Sequence, residues 1–339
     1  MALTLASLPT VEQYDVNRAI IQPLFMGQDY MQYMEVLPNI KGTTVIDKFN
    51  SLSKITKAFT NGAFSSENAA QGATVTITPV RLEAEIEFRA NELFNKMKGQ
   101  LMRGNYEFDN VEGTVVKDIL LNLIGQGVKA DFNRQLWLSD SGSSDVNYGL
   151  YDGIFEAAHD AGATELNTIS GMTQTEDAIL AAGNGVKILQ GLYDAASPEL
   201  LEAGNHVFFV SGDIADDYMA STLEASGYAA AGYGALVNGV PNLTYRGIPI
   251  IARRDWDVAI AGESAGTFNG ASSVNETYRA MLTTNGAFVV GTDFDENSVE
   301  QWYSMDNKAY RFRVSYMVGT ALKDSSLAVF YVPDAMASL

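Results

Sequence analysis

Residues 47–88 read DKFNSLSKITKAFTNGAFSSENAAQGATVTITPVRLEAEIEF, two strand-forming runs separated by a long stretch of small and polar residues with nothing of its own to pack. An isolated two-stranded hairpin is marginal in water and needs a third strand or a packed face. This stretch therefore lies either on its own domain or on another molecule. Towards its end, Leu82, Ala84, Ile86 and Phe88 alternate with Arg81, Glu83, Glu85 and Glu87, the period-two pattern of a half-buried strand. Pro79, which has no amide to donate, predicts a bulge or a sheet edge just before that strand.

Around this segment the periodicity changes. Upstream, residues 1–40 carry scattered apolar positions broken by Pro9, Pro23 and Pro38, which predicts an extended or partly helical arm. Downstream, Val116, Leu120, Leu123, Ile124, Val128, Phe132 and Leu136 recur at three- and four-residue steps and predict a long amphipathic helix over 112–138. Gly125 and Gly127 each weaken it by about 1 kcal/mol relative to Ala. The loop SDSGSSD, 139–145, ends it.

Strands and helices then mix. Residues 175–197 predict a helix capped by Thr175 and interrupted near Gly183 to Gly185. SPELLEAG, 197–204, has Ser197 as cap, Pro198 at the first helical position and Gly204 past the end. HVFFV, 206–210, predicts a buried strand, and 211–227 a helix opened by Ser211 and closed by Gly227. LTYR and IPIIAR predict two short strands about Gly247, and YRAMLT and AFVVGTD a hairpin about Asn285-Gly286. In 308–319, Tyr310, Phe312, Val314, Tyr316 and Val318 share one strand face, opposite Arg311, Arg313 and Ser315. SLAVFYV, 326–332, supplies a final strand, and the class is α+β.

Composition removes several kinds of chemistry. The 339 residues are 47% hydrophobic and 19% charged, ordinary for a chain with real cores. There is no cysteine, so disulfides, thiolate metal sites and cysteine nucleophiles are excluded. Imidazole chemistry has two seats, His159 and His206. A formal charge of −19 opposes tight binding of DNA or RNA, which needs a basic surface. The first residues lack a basic and then apolar run, so no signal peptide is expected, and no apolar run is long enough to span a membrane.

GESAG, 262–266, matches G-x-S-x-G and would make Ser264 a hydrolase nucleophile. That motif wants a strand before it, a helix after it and then an acid and a histidine, whereas both histidines precede Ser264. DFDENS from Asp293 places Asp293, Asp295 and Asn297 like the start of a calcium loop. The glycine and glutamate such a loop needs are replaced by Ser298 and Ser304. No phosphate-binding or dinucleotide glycine pattern occurs. The residues offer no credible active site, cofactor site or metal site.

The order of elements is arm, long hairpin, charged alternating strand, long helix, mixed region, returning strands. With it go ATVTITPVRLEAEIEFRANELF (73–94), VKADFNRQLWLSDSGSSDVNYGLYDGIF (128–155), HVFFVSGDIADDYMASTLEASG (206–227) with YRGIPIIARRDWD (245–257), and AYRFRVSYMVGTALKDSSLAVFYV (309–332). Together these resemble the major capsid protein of tailed bacteriophages, the Hong Kong 97-like fold.

The resemblance implies an N-terminal arm over 1–40, an E-loop hairpin over 41–90 and a peripheral P-domain part with the spine helix over 91–155. It implies an axial A-domain over 156–270 and returning P-domain strands over 271–339. It further implies a non-enzymatic subunit without cofactor that assembles into pentamers and hexamers of an icosahedral shell. Such a shell is built in the host cytoplasm, becomes the virion capsid and encloses double-stranded DNA without gripping it. No long helical segment precedes the arm, so scaffolding is expected from a separate protein or a removed segment, with portal and decoration proteins as further partners. Lys54, Lys57, Phe59 and Phe64 on the hairpin are the expected contacts with a neighbouring subunit. The covalent Lys to Asn cross-link of some members is not expected, since no partner asparagine or glutamate is identifiable. An encapsulin-like nanocompartment shell is the alternative within the same fold, and a serine hydrolase using Ser264 the alternative outside it.

Overall fold

The computed structural model describes residues 29–49, 72–89, 115–172, 180–226, 236–237, 240–241, 243–264, 268, 275–293 and 298–333. Two sheets organise them. The first has β1 (Glu35–Leu37), β12 (Phe288–Thr292), β14 (Ala309–Leu322) and β13 (Ser298–Ser304) in that order, with β4 (Val80–Arg89) also on β14. The second runs β5 (Thr164–Leu166), β15 (Ala328–Tyr331), β11 (Ala280–Thr284), β6 (His206–Ser211), β10 (Ile248–Arg253) and β9 (Thr244–Tyr245). Two ribbons complete the strands: β2 (Thr44–Phe49) with β3 (Gly72–Ile77), and β7 (Leu236–Val237) with β8 (Val240–Pro241).

The alternating strand is where its pattern places it. β4 pairs antiparallel with β14 from Val80↔Val318 to Arg89↔Ala309, so the apolar residues of both strands share one face. Against that face lies α1 (Val115–Leu138), through the buried four-residue repeat Ile124, Val128, Phe132 and Leu136. The rings of Phe132 and Tyr316 meet at 6.3 Å. Leu123, expected in this stripe, is 57% exposed, because one residue along a helix turns its side chain about 100° away from the line of Ile124.

The end of α1 carries Trp137 into the junction between the two sheets. Its ring lies 4.8 Å from Trp256 and 5.1 Å from Phe209, while Phe155 touches both Trp256 and Phe330. Phe155 opens α2 (Ile154–Asp160) with Ile154, and Trp256 belongs to α6 (Arg254–Ala261). Rings that each bury on the order of 200 Å² make this the apolar joint of the molecule. The far face of the six-stranded sheet is covered by α3 (Asn184–Ala195), α4 (Pro198–Glu202) and α5 (Gly212–Ser226), packing Ile188, Leu192, Leu200 and Ile214 on Phe208, Val210 and Leu282.

Local signals hold in several places. Ser197 caps α4 by accepting the Leu200 amide at 3.0 Å, with Pro198 in the first turn and Gly204 at φ +70 after it. Gly247 at φ +84 turns β9 into β10.

Three expectations are corrected. β11 and β12 do not form a hairpin about Asn285-Gly286. They belong to different sheets, and the turn carries the chain from one to the other. Its amides are held from outside, Asn285 by the Asn205 carbonyl and Gly286 by the Tyr33 carbonyl. Ser211 does not cap α5: its hydroxyl is buried with no partner among the described residues, and the Gly212 amide is accepted instead by the Asp257 carboxylate at 2.8 Å. The interruption expected near Gly183 is the start of α3, with Gly183 at φ +80 and Asp217 accepting the Gly183 and Gly185 amides. Thr175 and Gly227 lie outside the described residues.

Candidate functional site

Lys54, Lys57, Phe59 and Phe64 also lie outside the described residues; what the structure describes is the root of their hairpin. β2 and β3 pair from Thr44↔Ile77 to Phe49↔Gly72. Thr78 and Pro79 then divert the chain out of this ribbon and into β4. The base of the hairpin has a packed face. Ile77 is fully buried with Val289 of β12 and Ala321 of β14, and Leu37, Ile46 and Val75 pack around them. Val45, on the opposite face of β2, is 55% exposed.

That seat depends on two glycines. Gly291 and Gly319 are paired across β12 and β14. A Cβ on Gly319 would come within 3.0 Å of Pro79 Cα and 3.1 Å of the Thr78 carbonyl oxygen, and one on Gly291 within 2.8 Å of Ile40 Cδ1. Their bare backbone lets the hairpin root lie directly on the sheet. Two ion pairs fasten the same corner: Lys48 of β2 with Asp324, and Glu35 of β1 with Lys323. Burial opposes the charge on Asp324, but hydrogen bonds from Lys48 and Ser326 outweigh it and hold the carboxyl below its ordinary range.

The other face of the five-stranded sheet is a charge ladder. Arg311 donates to Glu87 at 2.8 Å and Arg313 to Glu85 at 2.8 Å, while Glu83 and Glu300 stand 3.9 Å from Arg313. Each pair is exposed to solvent and weak alone, yet together they keep polar the outer face of a sheet whose inner face carries α1. Trp302 of β13, paired with Arg311, stands 40% exposed beside them.

The segment 275–279 brackets α5 and α6. Asn275 Nδ2 donates to the carbonyls of Ile260, Glu263 and Ser264, and the Thr277 hydroxyl donates to Asp213 at 2.6 Å. Arg279 is buried against the Phe268 ring, and desolvation lowers its guanidinium to about 10 although Glu276 favours the charge. Asp257, which accepts the first amide of α5, is raised to about 7 by burial and then by Asp213, against the pull of Gly212 and Arg254.

Ser264 follows the helix α6, not the strand that a nucleophile elbow requires, and its carbonyl is taken by Asn275. His159 pairs with Glu165 at 2.9 Å, and His206 opens β6. Asp293 is buried at the end of β12, and Asp295 and Asn297 lie outside the described residues. Among the described residues there is no group of three or more His, Asp or Glu placed to hold a metal, and no helix long and apolar enough to cross a membrane.

The features missed by sequence reasoning are the glycine pair and the Lys48–Asp324 contact. Neither has a local signal. Each joins positions far apart in the chain and follows only from strand register.

No protein-family model and no curated protein matches the chain by sequence. Solved structures match it by shape. A chain of the Satellite phage P4 procapsid including size determination (Sid) protein matches with a TM-score of 0.57, covering 97% of this chain and 93% of that one at 8% identity. A chain from Mycobacterium phage Ogopogo matches at 0.54 over 90% and 91%, with 13% identity. One from the capsid of a native GTA particle matches at 0.53 over 89% and 88%, with 12% identity. At such identities the likeness is one of fold, and the chain has the mixed α and β, Hong Kong 97-like fold that its order of elements resembles.

Proposed function

We propose that the chain is the major capsid protein of a tailed bacteriophage, a structural subunit whose copies close into an icosahedral shell around double-stranded DNA. The observation that carries this reading is the match, over about nine-tenths of both chains, to structures of phage and GTA particles. The hairpin adds a second support. Its base is seated on the chain's own sheet, while the 22 residues joining Phe49 to Gly72 have the small, polar composition of an arm meant for a partner surface. In such a shell heterologous contacts repeat by rotation into rings of five and six.

The domain layout follows as part of the proposal. The five-stranded sheet and α1 form the P-domain, to which the N-terminal arm (1–40) lends β1 and the E-loop segment (41–90) lends β4; β2 and β3 are the root of the E-loop, and the six-stranded sheet forms the A-domain. β11 and β15, from the returning strands, join that last sheet. The −19 charge suits a container, since a strongly basic inner wall would hold packaged DNA tightly. The subunit's place is the virion shell, assembled in the host cytoplasm with scaffolding, portal and decoration proteins as further partners. No observation favours the nanocompartment or hydrolase readings over this one.

Negative-stain microscopy of the expressed chain tests the proposal. Closed particles, tubes, or rings of five and six are the expected result. A monomer that stays monodisperse at every concentration, and in the presence of candidate scaffolding protein, overturns it.

A further inference from the structure

A continuous set of contacts runs from the hairpin root to α4 at the edge of the six-stranded unit, through the five residues 323–327. Lys48 of β2 pairs with one carboxylate oxygen of Asp324, and the other oxygen accepts the Ser326 amide at 3.1 Å. The Ser326 carbonyl accepts the Ser197 hydroxyl at 2.8 Å, and that same hydroxyl oxygen caps α4 by accepting the Leu200 amide at 3.0 Å.

The segment is pinned along its length. Lys323 pairs with Glu35, its amide donates to the Ala287 carbonyl at 2.9 Å, and the Leu327 carbonyl accepts the Thr283 hydroxyl at 3.2 Å. It also joins β14 of one sheet to β15 of the other, so a shift at either end is passed to both sheets. Lys48 and Asp324 are about one-quarter exposed, with side-chain exposures of 27% and 26%. The pair is therefore partly open to solvent and still within reach of salt.

We propose that residues 323–327 couple the β2–β3 hairpin to the α4 corner of the six-stranded unit, so that loosening either one loosens the other. The contact between hairpin and carboxylate fixes how Asp324 presents its second oxygen. That in turn fixes the Ser326 carbonyl on which the α4 cap leans. Coupling of this kind is reciprocal for equilibrium opening. It belongs to the isolated subunit and does not depend on the capsid reading.

The test uses Lys48→Met, which keeps the apolar stem and removes the charge, and Ser197→Ala, both in the full chain. In Lys48→Met, amide hydrogen exchange is expected to quicken at Leu200 and Leu201 as well as in β2. In Ser197→Ala it is expected to quicken in β2 and β3 as well as in α4. In the double variant the change in the unfolding constant should fall short of the product of the single changes by about two-fold or more. Exchange changes confined to the mutated element, with single effects that multiply, overturn the proposal. Should Lys48→Met fail to fold, salt decides on the native chain. Raising it from about 0.02 to about 0.5 M screens the pair and should quicken exchange at Leu200, and an unchanged rate there overturns the proposal.

Discussion

Gly291 and Gly319 show how little material a decisive contact needs. Both let a neighbouring element touch sheet backbone, but their neighbours differ in how far they yield. At Gly319 the obstacles are Pro79 Cα and the Thr78 carbonyl, both backbone, whereas at Gly291 the nearest is the tip of the Ile40 side chain. Gly319→Ala should therefore destabilise the subunit by about 1–3 kcal/mol, the range for overpacking, and Gly291→Ala by less. Urea unfolding of the two variants checks the order. Asp257 supplies a pH-dependent counterpart. Its carboxyl is raised to about 7 in the folded chain by burial and by Asp213, against an ordinary value near 4. The stability it contributes is thus fully present below the unfolded value and is lost as pH rises through the folded one. Asn at this position can still accept the Gly212 amide and carries no charge. Asp257→Asn should raise Tm at pH 8 by about 2 °C, after allowance for solvent screening, with the difference closing towards pH 4. Thermal scans across that range would show a constant difference if the carboxyl keeps its ordinary value.

Among the elements, α1 is the one whose weak points have no structural excuse. Among the described residues, Cβ atoms built on Gly125 and Gly127 meet nothing within 4 Å, so neither glycine admits a described neighbour. Each replacement by Ala should stabilise the folded chain by about 0.5–1 kcal/mol through helix propensity alone. Chemical unfolding of the subunit measures this; no gain would mean that the helix interior is not helical at those positions in solution. The charge ladder of β4 on β14 was legible from alternation, because a period of two sorts side chains to opposite faces whatever their partner strand. The partner itself was not legible, since Glu85 meets Arg313 only through a register between positions 228 residues apart.

For the molecule as a whole, the question raised by residues 47–88 has a divided answer. The base of the hairpin rests on its own sheet through Ile77, Ile46 and the Lys48–Asp324 pair, and the rest is proposed to rest on another subunit. Deleting residues 51–71 and joining β2 to β3 by a short turn should therefore leave a folded subunit and abolish or misdirect assembly. Circular dichroism and sedimentation of the variant separate the two effects. Loss of subunit folding would show that the arm packs on its own domain. The two-sheet arrangement also explains why Asn285-Gly286 misleads. The dipeptide does mark a tight turn, with Gly286 at φ +74, but turn chemistry cannot say which sheet the next strand joins.

Periodicity, capping and turn chemistry act over a few residues, and those the amino-acid sequence determined by itself: the half-buried face of β4 and β14, the helical run of α1 to Leu138, the Ser197 cap and the turn at Gly247. The order of these elements was enough to resemble a fold that structure comparison then matched. Tertiary structure alone decided which strands share a sheet, where the hairpin sits, and that Asp257 and not Ser211 meets the first amide of α5. The reason is physical. Local signals are energies of neighbouring residues, whereas register and seating are settled by burial and close approach between segments that only the folded chain brings together.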